Sequence, residues 1–194
     1  MEKILTSINF PDIELIPFAL KLNDEYLKKQ YLGWLKDKDV IRLIGSEELA
    51  KKNINKSFIE ESFKRFTSKN CNGFFIFHKF DNVFIGTAKL DKISKFTNSA
   101  EDGILIGEKN YWGKGISKKV YSIILDYAFL ILNLNKVSGG CNEKNISMIK
   151  TFKSMGYKHE GTIRKSDNIE GELSDHLYFG ILKEEFIQKK NAKF

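Results

Sequence analysis

The stretch between Ile104 and Leu132 limits the possible folds of this chain more than any other. A short apolar run, Ile104-Leu105-Ile106, stops at Gly107, and Glu108-Lys109-Asn110-Tyr111 follow as a loop. Trp112-Gly113-Lys114-Gly115-Ile116-Ser117 then opens a segment in which Ile116, Val120, Ile123, Ile124, Tyr127, Ala128 and Ile131 recur at helical spacing. A strand, a tight loop and a long amphipathic helix therefore follow one another. Two glycines at the opening of a helix let several backbone N–H groups converge with no Cβ in the way. Those amides and the positive end of the helix dipole favour a phosphate, and Lys114 and Lys118 add charge at the same end. The spacing is neither the GxxxxGK[ST] of a nucleotide P-loop nor the three-glycine dinucleotide fingerprint. A purely structural use of the glycines, for a tight turn and close helix packing, stands beside the anion reading.

The flanking segments set this unit in a layered fold. Ile13 to Leu22 suits a strand, and Asn23 offers an N-cap to a helix carrying Tyr26, Leu27, Tyr31, Trp34 and Leu35. Ser46-Glu47-Glu48-Leu49 opens a second helical stretch reaching about Ser68. Gly73 to Phe80 and Val83 to Leu90, joined by Asp81-Asn82, form a predicted β-hairpin. Strands are expected over Glu101 to Gly107, Lys136 to Gly140, Tyr157 to Ile163 and Leu173 to Leu182, with a helix from Glu143 to Met155. Strands alternating with helices after a hairpin indicate a single α/β domain, residues 1 to 194, around a mixed sheet. No linker or repeat divides the chain.

Composition removes several function classes. The chain has 194 residues and a formal charge of +7, but only Arg42, Arg65 and Arg164 are arginine. Base-specific nucleic-acid contacts lean on the arginine fork, so the charge reads as a lysine-rich solvated surface without a specific nucleic-acid partner. Cys71 and Cys141 have no CxxC or metal-ligand spacing, and His78, His159 and His176 fall on separate strands, so no metal is expected. One isolated cysteine pair, the absence of a secretory leader and a longest apolar run of Tyr127 to Leu132 point to the cytoplasm and away from a membrane.

Read together, the motifs resemble the GNAT superfamily of acyl-CoA N-acyltransferases, in the branch of the ribosomal-protein N-terminal acetyltransferases. They are Trp34-Leu35 with Asp37 to Val40, Glu101-Asp102-Gly103-Ile104, Tyr111 to Ile116, Tyr127-Ala128-Phe129, Asn142, Asn145, Gly156-Tyr157 and Asp175, in that order over nearly the whole chain. The resemblance implies a mixed sheet of about seven strands with helices on both faces, splayed between the fourth and fifth strands. Acetyl-CoA would lie in that cleft as acyl donor, its pantetheine arm along Leu105 and Ile106 and its pyrophosphate on Trp112, Gly113, Lys114, Gly115, Ile116 and Ser117. Asn142 and Asn145 would meet the pantetheine amides, although Asn also serves as a plain helix cap.

An acetyl transferase needs a neutral amine, and free amines titrate at about 8 to 10.4, so a base is required at neutral pH. By the resemblance Glu101 takes that part, with Glu108 and Asp175 as lesser candidates; an exposed strand-end Glu has the same pattern. Three positions depart from the family: Asn110 stands where the phosphate loop usually begins with Gln or Arg, and the other two concern the proton donor. Phe152 stands where many members carry a tyrosine acid, and Met148 where this branch can carry a serine, leaving water or Ser147 as donor. The acceptor is a primary amine, with a protein N-terminus or an amino sugar favoured over aminoglycosides and polyamines, and the chain a monomer or homodimer. A non-catalytic CoA-binding module remains the alternative.

Overall fold

In a computed structural model, residues 3–44 and 54–192 are described. The expected hairpin forms as β3 (Asn72–His78) and β4 (Val83–Ser94), and Asn82 takes φ 54° in the turn, a left-handed conformation that Asn tolerates. Strand β2 (Ile13–Pro17) ends earlier than expected. Phe18–Lys21 turn into a 3-10 helix, and α1 (Glu25–Lys36) is capped by Asp24 rather than Asn23, with Oδ1 of Asp24 accepting from the Leu27 amide at 3.1 Å.

Among the described residues the sheet has eight strands, one of them the two-residue β1 (Leu5–Thr6) antiparallel to β2, beside the seven read from the sequence. Two residues have no readable periodicity. The remaining strands are β5 (Ser99–Ile106), β6 (Lys136–Asn142), β7 (Lys158–Ile169) and β8 (Glu172–Leu182), and the order is β1-β2-β3-β4-β5-β6-β8-β7. Every neighbouring pair is antiparallel except β5 and β6, the fourth and fifth strands of the sequence reading. Those two are parallel and pair only at Ser99↔Lys136, Ala100↔Val137 and Glu101↔Ser138. Beyond Glu101 they part, leaving a V between Asp102–Ile106 and Gly139–Asn142.

Helices cover both faces. On one, α1, α2 (Lys38–Ile41) and α3 (Lys56–Phe66) bury Leu27, Tyr31, Trp34, Ile59 and Phe63 against Phe18, Phe75 and Leu105. The expected opening of the second helix at Ser46–Leu49 lies outside the described residues; α3 itself starts after an Asn55 cap. On the other face, α4 (Ile116–Asp126), α5 (Ile146–Met155) and α6 (Lys183–Asn191) bury Ile116, Val120, Ile124, Phe152 and Phe186. The long predicted helix loosens into a π turn over Tyr127–Ile131, and α5 starts three residues late because Asn145 caps it. Helix α6 has almost no apolar periodicity and was not foreseen; Phe186 anchors it on Phe129, ring centroids 5.0 Å apart.

Candidate functional site

Two cavities meet in the V and share Ile104, Leu105, Asn145 and Met148 as walls. The larger, about 940 Å³, lies at the start of α4 and is lined by Trp112, Gly113, Gly115, Ile116, Ser117 and Lys118. Gly113 and Gly115 sit at φ +73° and +74°, and a Cβ on either would meet nothing within 4 Å. Glycine is thus required by the backbone and leaves the amides open to the cavity. Gly115 is the N-cap of α4 and brings no side chain to those amides. Trp112 donates its indole N–H to the Ile106 carbonyl at 2.9 Å, which ties the loop to the end of β5. Lys114 stands apart from the cavity walls, its Nζ 5.4 Å from the Tyr111 ring centre, whereas Lys118 and Lys150 add positive charge to them; Arg42, also on the wall beside Asp39, is paired with Glu170 at 3.7 Å. An amide cradle, open glycines and cations fit the pyrophosphate of a CoA thioester.

From this cradle the unpaired edge of β5 leads past Ile106 and Leu105 toward the apex of the V. Asn145 lines both cavities, and its Oδ1 caps α5 by accepting from the Met148 amide at 3.1 Å. Asn142 also reaches the cleft, but it is 2% exposed and its amide serves the chain itself. Nδ2 donates to Asp167 Oδ2 at 2.9 Å and to Ser174 Oγ at 2.7 Å, while Oδ1 accepts from the Lys144 amide at 2.9 Å. It clamps the end of β6 to the β7–β8 hairpin.

The carboxylates singled out from sequence are placed differently from one another. Glu101 is the last residue of β5 that pairs with β6; its carboxylate lies 2.9 Å from Lys92 Nζ and it lines neither cavity. Glu108 accepts from Trp34 Nε1 at 2.9 Å and Gln30 Nε2 at 3.1 Å, and so locks α1 to the end of β5. Asp175 Oδ1 accepts from the Lys165 amide at 2.9 Å. Of the acid positions, Phe152 is 1% exposed and stacked on Phe179, Ser147 faces the larger cavity, and Met148 faces both.

The smaller cavity, about 370 Å³, holds two groups that sequence reasoning passed over. His176 lines it, with Nδ1 3.0 Å from Asp167 Oδ2. A Cβ on Gly140 would overlap Nε2 of that ring, so the bare glycine makes room for it. Asp167 and His176 are nine residues apart across a bulged hairpin, and no sequence motif signals the pair. Asp102, also on the wall, is 8% exposed and accepts from Tyr121 Oη at 3.2 Å and from the Tyr157 hydroxyl. Burial pushes its carboxyl up to about 7 against the opposing pull of the two hydroxyls. The resemblance points to the adjacent Glu101 rather than to Asp102.

Arg65 and Lys89 give this cavity a positive rim. Both pair with Asp91, Lys89 at 2.8 Å; burial works against the Asp91 charge, but the Lys89 bond and Arg65 outweigh it and hold the carboxyl down at about 2. Among the described residues no group of three His, Cys, Asp or Glu side chains is placed to hold a metal, and no helix is long and apolar enough to cross a membrane.

Comparison with known proteins agrees with this geometry. Residues 15–158, more than half of the chain, match the family model of the acetyltransferase (GNAT) domain. An uncharacterized N-acetyltransferase of Bacillus licheniformis is 33% identical over 116 residues, which span 60% of this chain and 65% of that protein. The match thus leaves about a third of that relative's length uncovered. A spermidine N(1)-acetyltransferase of Vibrio cholerae is 26% identical over 131 residues, 68% of this chain and 75% of that protein. Among solved structures, a chimeric spermidine N-acetyltransferase from Vibrio cholerae superposes with a TM-score of 0.74 at 21% identity, covering 91% of this chain and 98% of that one. A GCN5-related N-acetyltransferase from Brucella melitensis gives 0.75 at 17% identity, covering 99% and 84%. The chain belongs to the GNAT acetyltransferase family.

Proposed function

We propose that this GNAT family member transfers an acetyl group from acetyl-CoA to a primary amine by direct attack in a ternary complex. One observation carries the reading: the V between β5 and β6 joins an amide cradle at the start of α4 to a second cavity. Donor and acceptor can therefore approach one point from two sides. Gly113, Gly115, Ile116 and Ser117 would hold the pyrophosphate, with Lys118 and Lys150 adding charge, and the free edge of β5 at Leu105 and Ile106 would align the pantetheine arm. Holding both partners in attack geometry supplies much of the acceleration.

Two side chains compete for the base. Glu101 has the family position, but its charge is engaged by Lys92 outside the cavities. His176 lines the acceptor cavity, and its Asp167 partner fixes Nδ1 as the protonated nitrogen, leaving the Nε2 lone pair to take the amine's proton. The placement favours His176.

The rim also bears on the acceptor. Arg65 and Lys89 on the rim share the single carboxylate of Asp91, which leaves one positive charge in excess there, so a polycation is disfavoured and an amine beside an anionic or neutral group is favoured. That supports a peptide N-terminus or an amino sugar on an anionic carrier over spermidine, the substrate in the names of several relatives. The chain would act in the cytoplasm, where the buried thiols of Cys71 and Cys141 stay reduced. A CoA-binding module without turnover is the second reading, favoured by the missing hydroxyl at Phe152. The deciding experiment offers acetyl-CoA with peptide N-termini, nucleotide amino sugars, aminoglycosides and polyamines, and follows thiol release. Turnover with the first two groups is expected; CoA binding with no turnover of any amine would favour the second reading instead.

A further inference from the structure

Asp102 occupies the apex of the V. Pairing of β5 with β6 ends at Glu101↔Ser138, and the next residues, Asp102 and Gly139, are where the strands part. A Cβ on Gly139 would collide with Asp102 Oδ1 and lie 2.9 Å from Phe152 Cζ, so both side chains converge on the fork and the glycine is what lets them. Asp102 lines the acceptor cavity beside Tyr121, and a thioester extended along β5 from the cradle would end at the same fork.

We infer that Asp102 is the proton donor to the departing CoA sulfur, in place of the hydroxyl absent at Phe152. The inference rests on the acetyltransferase reading above. Among the described residues its hydrogen bonds come from Tyr121 on α4 and Tyr157 at the entrance to β7, and none from a cation. Lys89 on β4 is the nearest opposing charge and is bound to Asp91; Glu101 on the same strand repels a negative Asp102; Cys141 on β6 is a neutral thiol, pushed by burial up to about 11. The site therefore holds a proton near neutral pH, as a general acid must.

In the transfer, the amine nitrogen forms a bond to the thioester carbonyl carbon, and the C–S bond breaks with its electron pair going to sulfur. The Asp102 O–H proton passes to that sulfur, giving free thiol and a carboxylate, while the proton lost by nitrogen goes to the base. Solvent then returns a proton to Asp102 and takes one from the base. Tyr121 and Tyr157 position the carboxyl and favour its charged form, which makes the transfer easier.

The test is Asp102→Asn, which keeps size and cannot act as an acid. We expect kcat to fall about 10²-fold, KM for acetyl-CoA to hold, and the fall of kcat as pH rises through about 7 to vanish. Tyr157→Phe removes a donor that favours the charged form, so that falling limb should move to higher pH. Independently of turnover, ¹³C labelling of aspartate side chains in the unliganded protein should reveal one carboxyl titrating near 7, lost in Asp102→Asn. Turnover of Asp102→Asn within a few-fold of the parent, or an unmoved limb in Tyr157→Phe, overturns the assignment while leaving the acetyltransferase reading intact. A parent chain that acetylates none of the amines removes both.

Discussion

Replacing Asp102 by Asn should change how stability depends on pH, whether or not any substrate is present. The carboxyl is held at about 7 by burial against an ordinary value of 3.8. In the unfolded chain it ionises near that ordinary value, whereas in the folded chain it keeps its proton across a further three pH units or so. Its contribution to stability is therefore fully present below about pH 4, falls as pH rises, and is gone above about pH 7. At about 1.36 kcal/mol per pH unit the loss amounts to at most about 4 kcal/mol, or roughly 8–16 °C in Tm for a chain of this size. Asn has nothing to ionise. Urea unfolding of both proteins at half-unit steps from pH 4.5 to 8.5 should show the parent losing stability relative to the variant, with most of the change below pH 7. The lowered carboxyls, among them Asp91 at about 2, act in the opposite sense and mainly below this window, and they are common to both proteins. Parallel curves would refute the reasoning, because a carboxyl that ionises alike in both states contributes no slope.

Gly115→Val places a β-branched residue at φ +74° among the cradle amides, so a folded variant should lose the rise in Tm that CoA at a hundredfold excess over Kd gives the parent, about 2.7 kcal/mol or roughly 5–10 °C; a retained shift in differential scanning fluorimetry would move the site. His176→Gln should lower kcat about 10²-fold, the size of a lost general base, whereas Glu101→Gln, whose charge is held by Lys92, should stay within a few-fold; steady-state kinetics on one amine decide, and the reverse order returns the base to Glu101. Asn142→Ala leaves Asp167, Ser174 and the Lys144 amide without their partner, so thermal unfolding should show a loss of about 2 kcal/mol, roughly 4–8 °C in Tm, and an unchanged Tm would mean that the clamp is not holding the hairpin.

The glycine turn at Gly113 and Gly115 that opens α4 was legible because everything it needs is local. Gly113 and Gly115 at positive φ, the apolar stripe from Ile116 and the strand before them are encoded within about twenty neighbouring positions, where backbone conformation follows spacing. The β3–β4 hairpin was readable on the same terms, from its turn residues, whereas the splay was an implication of the family resemblance that the ordered motifs carry. Limits of elements were read less well: α5 waits for its Asn145 cap, β2 yields to a 3-10 turn, and α6 is anchored by one buried Phe ring against Phe129. The groups proposed to move protons were out of reach for a different reason. His176 meets Asp167 because β7 carries an irregularity in its pairing with β8 between Ile163 and Asp167. Asp102, rather than the adjacent Glu101, falls into the cleft because β5 and β6 cease to pair one residue earlier. Successive strand residues face opposite sides of a sheet, so a single step in register decides which carboxylate sits in the cavity and which in solvent. Such a step is set by contacts between segments distant in sequence, and only the assembled sheet contains it.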